Sequence, residues 1–336
     1  MATIKDIAKM TELSSATVSR VLNNDYSISV TDETRKKIFD AAHKLNYKKI
    51  KTPSGNGKKS LQLGLIVWCS EEREDSDPYF LSIRQAVEKE CSEQGIAISS
   101  TFRRYENQEL HIDASHLNAL IVIGKVHPDY LDRYPHIRNV VSVDYIFDEQ
   151  RDAVITDFEE ATAKALEHLF QLGHERIGYI GGTTVEYTSK GNKPILDTRQ
   201  MSHERIMQEK GLFRRDDVYV GAWTMEGGYQ LMKQALGKPD RPTAFLIGSD
   251  PMAVGAVRAI DECGLKAPDD VSIVSFDDIP IAEFLNPPLT TVKVHTEEMG
   301  KMAVKLLLDQ VEGREVPLHV HVPTKLMIRQ SCGAKK

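Results

Sequence analysis

Apolar residues recur at two different spacings along this chain of 336 residues. Near the N-terminus they lie three and four positions apart, as in Ile4, Ile7 and Ala8, which is the spacing of one face of a helix. From Leu61 onward, short apolar runs alternate with longer helical patterns. The change predicts a small all-α unit followed by a larger α/β unit.

Three short helices are predicted in the N-terminal unit. Thr3 is a suitable cap for the first helix, with Asp6 in capping-box position. Glu12-Leu13-Ser14 forms a turn, and Ser14 is a favourable N-cap for a second helix over about 15–23. The third begins near Thr31. The predicted buried positions are Val18, Val21 and Leu22 in the second helix and Ile38, Phe39, Ala42 and Leu45 in the third.

The second helix keeps a polar face away from this core. A helix placed in this way after a tight turn is typical of a helix-turn-helix, whose second helix lies in the major groove of DNA. Arg20 is suited to guanine O6 and N7, and Ala16 to a thymine methyl group. Thr17, Ser19 and Asn23 are suited to phosphate oxygens. The alternative is a face that is merely solvated.

The distribution of charge favours DNA over the solvated alternative. Residues 1–59 carry a net charge of +6, whereas the rest of the chain carries −12. A basic head on an acidic body is typical of a DNA-binding module joined to a domain that binds something else. Between them, Pro53, Gly55 and Gly57 interrupt a basic stretch and predict a flexible linker over 49–60.

The larger unit predicts two parallel, doubly wound sheets. Apolar runs of strand length alternate with helical patterns, and they are too numerous for one sheet of ordinary size. The predicted strands include Leu61–Cys69, Ile96–Phe102, Ala119–Gly124, Val140–Asp144, Arg176–Gly182, Val218–Trp223, Thr243–Gly248 and Val271–Phe276.

Ligands of such sheets bind at the carboxyl ends of strands, and between two such domains they bind in the cleft. Carboxylates, an arginine and aromatic faces at these positions suit the hydroxyls and C–H faces of a sugar. For each carboxylate alone, a helix-capping role is an equal alternative, and a lone tryptophan is more often part of the core. The candidates are Tyr79, Phe80, Asp144, Arg199, Trp223, Ser249 and Asp277.

The N-terminal run resembles the lac/gal repressor family, above all in the block Thr17-Val18-Ser19-Arg20-Val21-Leu22-Asn23. The resemblance implies a helix-turn-helix head (1–48), a hinge (49–60) and a periplasmic-binding-protein-like core (61–333). It implies an N-lobe of about 61–158 and 293–323 and a C-lobe of about 159–292 and 324–333. The implied DNA contacts are Thr3, Ser14, Ser15, Ala16, Thr17, Ser19, Arg20, Asn23 and Tyr47, with Ser15, Ala16 and Arg20 as main base readers.

The same resemblance assigns effector roles to Arg199, to Asp277 in Val-Ser-Phe-Asp-Asp and to Trp223. Two residues depart from the family pattern: Ser249 replaces a common asparagine and His203 replaces an aromatic residue. The acidic residues after the first apolar run (Glu71, Glu72, Glu74 and Asp75) are predicted to form a loop. The run from Asp77 to Arg84 that follows this loop resembles regulators of oligosaccharide and galactoside use.

The sequence therefore predicts a repressor of carbohydrate-utilisation genes. Its expected partners are palindromic operator DNA, a small sugar effector (a galactoside is favoured) and a second copy of the chain in a homodimer. A cytoplasmic protein with no membrane span, cofactor or metal site is predicted, because there is no signal pattern, apolar span or zinc spacing. Phosphate-loop and nucleophile-elbow motifs are missing, which argues against an enzyme. The remaining alternative is a sugar-binding protein without a DNA role.

Overall fold

A computed structural model describes the chain at residues 3–22, 30–31, 34, 37–38, 41–42, 45, 61–103, 112–132 and 134–333. The chain divides into two units, Met1–Ser60 and Leu61–Lys336. The predicted linker over 49–60, together with Asn23, Phe39 and Tyr47, lies outside the described residues.

Within residues 3–22, the first unit contains α1 (Ile4–Thr11) and α2 (Ser15–Leu22), joined by a tight turn. The predicted capping box is confirmed, because the Thr3 N–H donates to Asp6 Oδ2 at 2.8 Å and the Asp6 N–H donates to Thr3 Oγ1 at 3.4 Å. Glu12 ends α1 in the left-handed conformation, with φ of 59°. The thin core includes Ile7, Val18, Val21, Ile38 and Ala41.

The first lobe of the second unit contains a six-stranded sheet. Its strands are β1 (Leu63–Val67), β2 (Ile98–Arg103), β3 (Ala119–Ile123), β4 (Asn139–Val143), β5 (Asp152–Thr156) and β13 (His319–Val322). They lie in the order β13-β5-β4-β3-β1-β2, and all neighbours are parallel. The helices of this lobe are α3 (Glu71–Ser76), α4 (Pro78–Gln94) and α9 (Thr296–Val311).

The second lobe contains a sheet of the same size. Its strands are β6 (Ile177–Gly182), β9 (Val218–Gly221), β10 (Ala244–Ile247), β11 (Ser272–Asp277), β12 (Thr290–Lys293) and β14 (Lys325–Met327), and its helices are α5 (Phe158–Gln171), α6 (Thr198–Glu209), α7 (Met225–Leu236) and α8 (Asp250–Glu262). The order is β14-β12-β11-β10-β6-β9, parallel except for the antiparallel pair β12–β14. The predicted pair of doubly wound sheets is confirmed.

The chain passes between the lobes at three places within the described residues: from β5 to α5, from β12 to α9 and from β13 to β14. The strands at these crossings lie at one edge of each sheet, β13 and β5 in the first and β14 and β12 in the second. The opposite edges, β2–β1 and β9–β6, have no crossing. The lobes are therefore hinged along one side and open on the other.

An antiparallel hairpin of β7 (Thr184–Thr188) and β8 (Gly191–Ile195) projects from the second lobe between β6 and α6. We call it the interlobe hairpin because it is hydrogen-bonded to the first lobe. The His127 N–H donates to the Tyr187 carbonyl at 2.7 Å, and the Tyr187 N–H donates to the Lys125 carbonyl at 2.9 Å. The apolar pattern does not predict this hairpin, since most of its residues are polar.

The acidic segment after β1 is the helix α3 and not the predicted loop. Ser70 caps it by accepting a hydrogen bond from the Arg73 N–H at 3.4 Å, and acidic residues in a first helical turn are favoured by the helix dipole. Glu74 is buried, with salt bridges to Arg84 at 3.0 Å and Arg103 at 2.9 Å. Its carboxylate is therefore structural.

The cysteines are free thiols, and Cys69, Cys91 and Cys332 are buried. His319 and His321 lie exposed on β13. In the described part of the chain, no helix has both the length and the apolar character needed to cross a membrane.

Candidate functional site

The outer face of α2 is the candidate DNA interface. Ser15 and Arg20 are exposed, and Thr17 and Ser19 are half-buried. The predicted N-cap is present, because the Thr17 N–H donates to Ser14 Oγ at 3.1 Å, and the two hydroxyls are 2.9 Å apart. Hydroxyl side chains therefore lie at the start of α2, where helix N–H groups favour phosphate, and Arg20 lies in its last turn.

The other predicted DNA contacts are partly described. Thr3 is exposed at the start of α1, with its hydroxyl 2.7 Å from Asp6 Oδ2. Ala16 lies in the first turn of α2. Asn23 and Tyr47 are outside the described residues. Thr3 thus caps its own helix while its side chain remains accessible.

A cleft between the lobes brings together all seven side chains predicted to contact an effector. Tyr79, Phe80 and Asp144 line it from the first lobe, and four residues line it from the second, namely Arg199, Trp223, Ser249 and Asp277. These residues follow strands or begin helices at the carboxyl edges of the two sheets, where ligands of such sheets bind. The cleft is also lined by Trp68, Arg73, Asp77, Lys125, Phe158, Thr184 and Asp197.

Arg199 lies at the centre of the cleft. Its Nε and Nη2 atoms donate to the two carboxylate oxygens of Asp197 at 2.7 and 2.8 Å, and its Nη1 donates to the Gly248 carbonyl at 2.8 Å. The guanidinium carbon is 4.6 Å from the ring centroid of Phe158 and 4.7 Å from that of Trp223. A bidentate ion pair and aromatic faces together fix the plane of the guanidinium.

The ion pair keeps both partners charged despite burial. Burial raises the pKa of Asp197, but the Arg199 charge outweighs it and holds this pKa below the ordinary value. Burial also opposes the positive charge of Arg199, and the Asp197 carboxylate outweighs it and raises the Arg199 pKa. The cleft therefore contains a permanent, oriented cation.

Two further carboxylates meet in the cleft from opposite lobes. Burial raises the pKa of Asp77, although its hydrogen bond from the Tyr79 N–H opposes the shift. Burial and then the Asp77 charge raise the pKa of Asp277 well above its ordinary value. Closure of the lobes thus brings together acidic groups that favour binding a proton.

Asp144 organises the first-lobe wall. It follows β4 with a φ of 72°. Its carboxylate accepts a hydrogen bond from the Tyr79 hydroxyl at 2.6 Å and another from Lys125 Nζ at 3.1 Å. The side chain is 2% exposed. It is held as an acceptor with a fixed direction.

Trp68 connects this wall to the interlobe hairpin. Its indole Nε1–H donates to the Val185 carbonyl at 3.1 Å, and its ring stacks on Tyr187 with centroids 5.5 Å apart. The guanidinium carbon of Arg73 lies 4.6 Å from the Trp68 centroid on the cleft side. The hairpin therefore helps to position an aromatic face of the cleft.

The lobes are closed around Arg199. The free space at the centre is about 40 Å³, far below the roughly 300–1,000 Å³ of small-molecule sites. Entry of a sugar ring therefore requires the lobes to part. The chemistry of the walls nevertheless suits a polyhydroxylated ligand, since carboxylates accept from hydroxyls and aromatic faces pack on sugar C–H groups.

Some of the additional cleft residues are predictable from the sequence. Trp68 and Lys125 end or follow the first and third apolar runs, so the rule that selects Asp144 also selects them. Asp197 is the N-cap of α6, accepting the Arg199 N–H at 3.0 Å. Phe158, Thr184 and Arg73 carry no such signal.

The two departures from the family pattern have different surroundings. Ser249 lines the cleft, and its buried Oγ has no hydrogen-bond partner within the described residues. His203 lies outside the cleft lining, where its Nε2 is 3.0 Å from the Ile177 carbonyl and its ring packs 5.5 Å from that of Tyr179. Ser249 is thus free to meet a ligand, whereas His203 is a packing residue.

Each of the two units matches a known protein family. Residues 3–49 match a family model described as bacterial regulatory proteins, lacI family, and residues 166–332 match a periplasmic binding protein-like domain. The HTH-type transcriptional repressor MelR of Bacillus subtilis (strain 168) is 43% identical, with 99% of this chain and 98% of that protein covered. The HTH-type transcriptional regulator GanR of the same organism is 37% identical over 98% of this chain and 99% of its own length.

Solved structures show the same architecture. A lac repressor dimer bound to operator and the anti-inducer ONPF superposes with a TM-score of 0.70 and 25% identity over 99% of both chains. A complex of the transcriptional regulator CelR with cellobiose superposes with a TM-score of 0.67 and 24% identity, covering 98% of this chain and 100% of that one.

Proposed function

The chain belongs to the lacI family of DNA-binding transcriptional regulators, and we propose that it represses carbohydrate-utilisation genes under the control of a small sugar bound between its lobes. In this proposal the cleft binds and releases its ligand unchanged. The sugar shifts the balance between closed and open lobes, and that shift changes the affinity for operator DNA.

The surroundings of Arg199 are the main support for a sugar effector. An oriented cation between aromatic rings, with Asp144 and Asp277 on opposite walls, offers paired hydrogen bonds and a stacking face in one small space. Such groups recognise vicinal hydroxyls and the C–H face of a sugar ring. A galactoside is the favoured class, because the run that resembles galactoside regulators supplies Asp77, Tyr79 and Phe80 to the cleft.

The exposed face of α2 is the main support for operator binding. One such helix reads a half-site, so a homodimer on a palindromic operator supplies the second helix and the affinity of a specific complex. Ser15, Ala16 and Arg20 are the base readers in this proposal, and the flanking hydroxyls contact phosphate. We place the protein in the cytoplasm, with the DNA it regulates.

Calorimetric titration of mono- and oligosaccharides into the full-length protein, galactosides first, tests the effector half. We expect one class of sugar to bind, and Arg199→Ala to weaken that binding by more than tenfold. Undiminished binding to Arg199→Ala would remove Arg199 from the site. Failure of every saccharide to bind the wild type would contradict a sugar effector.

Titration with palindromic and scrambled duplexes at several salt concentrations tests the DNA half. We expect a preferred palindrome, with affinity that falls as salt rises because phosphate contacts release counterions. Arg20→Ala should cost about 1–3 kcal/mol on the preferred duplex, as expected for a bidentate base contact. Equal affinity for all duplexes would contradict sequence-specific recognition.

A further inference from the structure

A second, larger space adjoins the central cleft. It is a groove of about 880 Å³ between residues 70–76 of the first lobe and Gly221–Thr224 of the second. Arg73 and Trp223 line both spaces. The groove lies in the range of about 300–1,000 Å³ that small-molecule sites occupy, and these two shared residues make it a neighbour of the cleft. We call it the outer groove.

The topology places the outer groove at the open side of the hinge. Residues 70–76 follow β1, and Gly221–Thr224 lies at the end of β9. Both strands lie at the edges of their sheets from which the chain does not cross between the lobes. The crossings leave from the opposite edges. A ligand too long for the central cleft therefore extends into this groove when the lobes part.

Two elements that join the lobes border the cleft elsewhere. On one side the interlobe hairpin hydrogen-bonds to the first lobe through Trp68, Lys125 and His127. On the other, a smaller cavity of about 370 Å³ beside Tyr79 and Asp277 is bounded by Lys293–Thr296, where the chain crosses between the lobes. The outer groove is the larger of these two spaces, and no crossing of the chain borders it.

The lining of the outer groove suits sugar hydroxyls. Glu72 and Thr183 present an exposed carboxylate and an exposed hydroxyl, and the Ser76 hydroxyl donates to the Arg73 carbonyl at 3.0 Å while its oxygen can still accept. Arg73 stands at the border, with its guanidinium over the ring of Trp68. Trp223 provides the boundary on the opposite lobe.

We propose that the outer groove binds a second glycosyl unit of the effector, so that the effector is an oligosaccharide with one unit at Arg199 and the next between Glu72 and Ala222. The inference rests on the proposed function, since it takes the first unit to lie in the central cleft. It adds the length of the ligand, its direction and the residues that select it.

Ala222 offers a way to block the groove alone. Its side chain is exposed and lines the outer groove but not the central cleft. Ala222→Trp fills the space for a second unit, whereas the matched variant Ala222→Ser leaves that space nearly unchanged. The probes are D-galactose, α- and β-linked galactosyl disaccharides and the corresponding trisaccharides, titrated by calorimetry into the full-length protein.

We expect a disaccharide to bind the wild type and Ala222→Ser at least tenfold more tightly than galactose does. In Ala222→Trp this advantage should fall to about twofold or less, with galactose affinity unchanged and the thermal unfolding midpoint preserved. A disaccharide preference that survives in Ala222→Trp overturns the groove assignment. Wild-type binding of galactose with no gain from a second unit also overturns it and leaves the proposed function intact, whereas no binding of any saccharide contradicts both.

Discussion

The side chain of Arg199 combines two interactions that lysine cannot reproduce together, a bidentate pair with Asp197 and flat contact with two aromatic rings. We predict that Arg199→Lys keeps the charge but weakens effector binding about tenfold or more, because the fork geometry is lost. Arg205→Lys on the exposed face of α6 is the matched control. Tryptophan fluorescence reports the binding, since both tryptophans of the chain line the cleft.

The carboxyl groups of Asp77 and Asp277 make closure of the cleft dependent on pH. Burial raises the pKa of both groups in the closed form. The Asp144 charge adds to the rise for Asp77, and the Asp77 and Asp250 charges add to it for Asp277. The closed form thus binds protons more tightly than an open, hydrated one, so its advantage is present at low pH and is lost as the pH rises through the raised pKa values.

We therefore predict that an effector that stabilises the closed form binds more weakly as the pH rises above the ordinary aspartate pKa of about 4. Asp77→Asn retains a helix-capping oxygen and should flatten this pH profile. Fluorescence titrations across the pH range measure it. A wild-type affinity that rises with pH, or an equally steep profile in Asp77→Asn, would contradict the assignment.

The sequence predicts those site residues that lie at the ends of apolar strands. Asp144 and Asp277 follow apolar runs or end them, so the carboxyl-end rule for parallel sheets locates them without coordinates. Arg73 and Thr184 reach the cleft through α3 and the interlobe hairpin. Their positions depend on contacts between residues far apart in the chain, which spacing along the sequence does not reveal.

Among the elements, the interlobe hairpin is predicted to hold the lobes closed. Tyr187 contributes a ring stacked on Trp68 and two backbone hydrogen bonds to the first lobe. An aromatic pair contributes about 0.5–1.5 kcal/mol, which corresponds to about 2- to 10-fold in rate. Tyr187→Ala should release effector faster by that factor in stopped-flow fluorescence, and Lys190→Ala at the exposed turn should not. Equal release rates would show that the hairpin does not restrain opening.

The contact between α7 and α8 depends on glycines that permit close backbone approach. A Cβ at Gly255 would lie 1.8 Å from the Met225 carbonyl oxygen, whereas a Cβ at Gly237 would meet nothing closer than 3.4 Å. We predict that Gly255→Ala destabilises the protein by about 1–3 kcal/mol or more, as overpacking does. Gly237→Ala is the control and should change little. Urea unfolding followed by circular dichroism would contradict this if the two variants were equally stable.

The elements that the sequence predicts are those with strong apolar periodicity. Strands β1, β3 and β10 are continuous buried runs that lie within the predicted Leu61–Cys69, Ala119–Gly124 and Thr243–Gly248. The interlobe hairpin is not predicted, because β8 is mostly exposed and includes a proline. The acidic segment is predicted as a loop, although Ser70 and the first-turn carboxylates are helix-start signals.

For the molecule as a whole, we propose that the effector changes the angle between the lobes, which are hinged on one side of the two sheets. A coupling free energy of about 1–3 kcal/mol between effector and operator corresponds to about a 5- to 150-fold change in operator affinity. The two-unit organisation is predicted from sequence, since period and charge both change near residue 60. The closure of the lobes is not, because it depends on side chains that meet across the cleft.

In the proposed mechanism, the cleft around Arg199 controls DNA binding by the head. An anisotropy titration with a palindromic duplex selected from a random pool tests this. It compares full-length wild type with Arg199→Ala, each with and without the saccharide that binds the wild type. We predict that saturating saccharide changes the wild-type operator Kd by about 5- to 150-fold, whereas Arg199→Ala binds the same duplex with normal affinity and no response. An operator Kd that is unchanged by bound saccharide in the wild type, or a full response in Arg199→Ala, would contradict the claim.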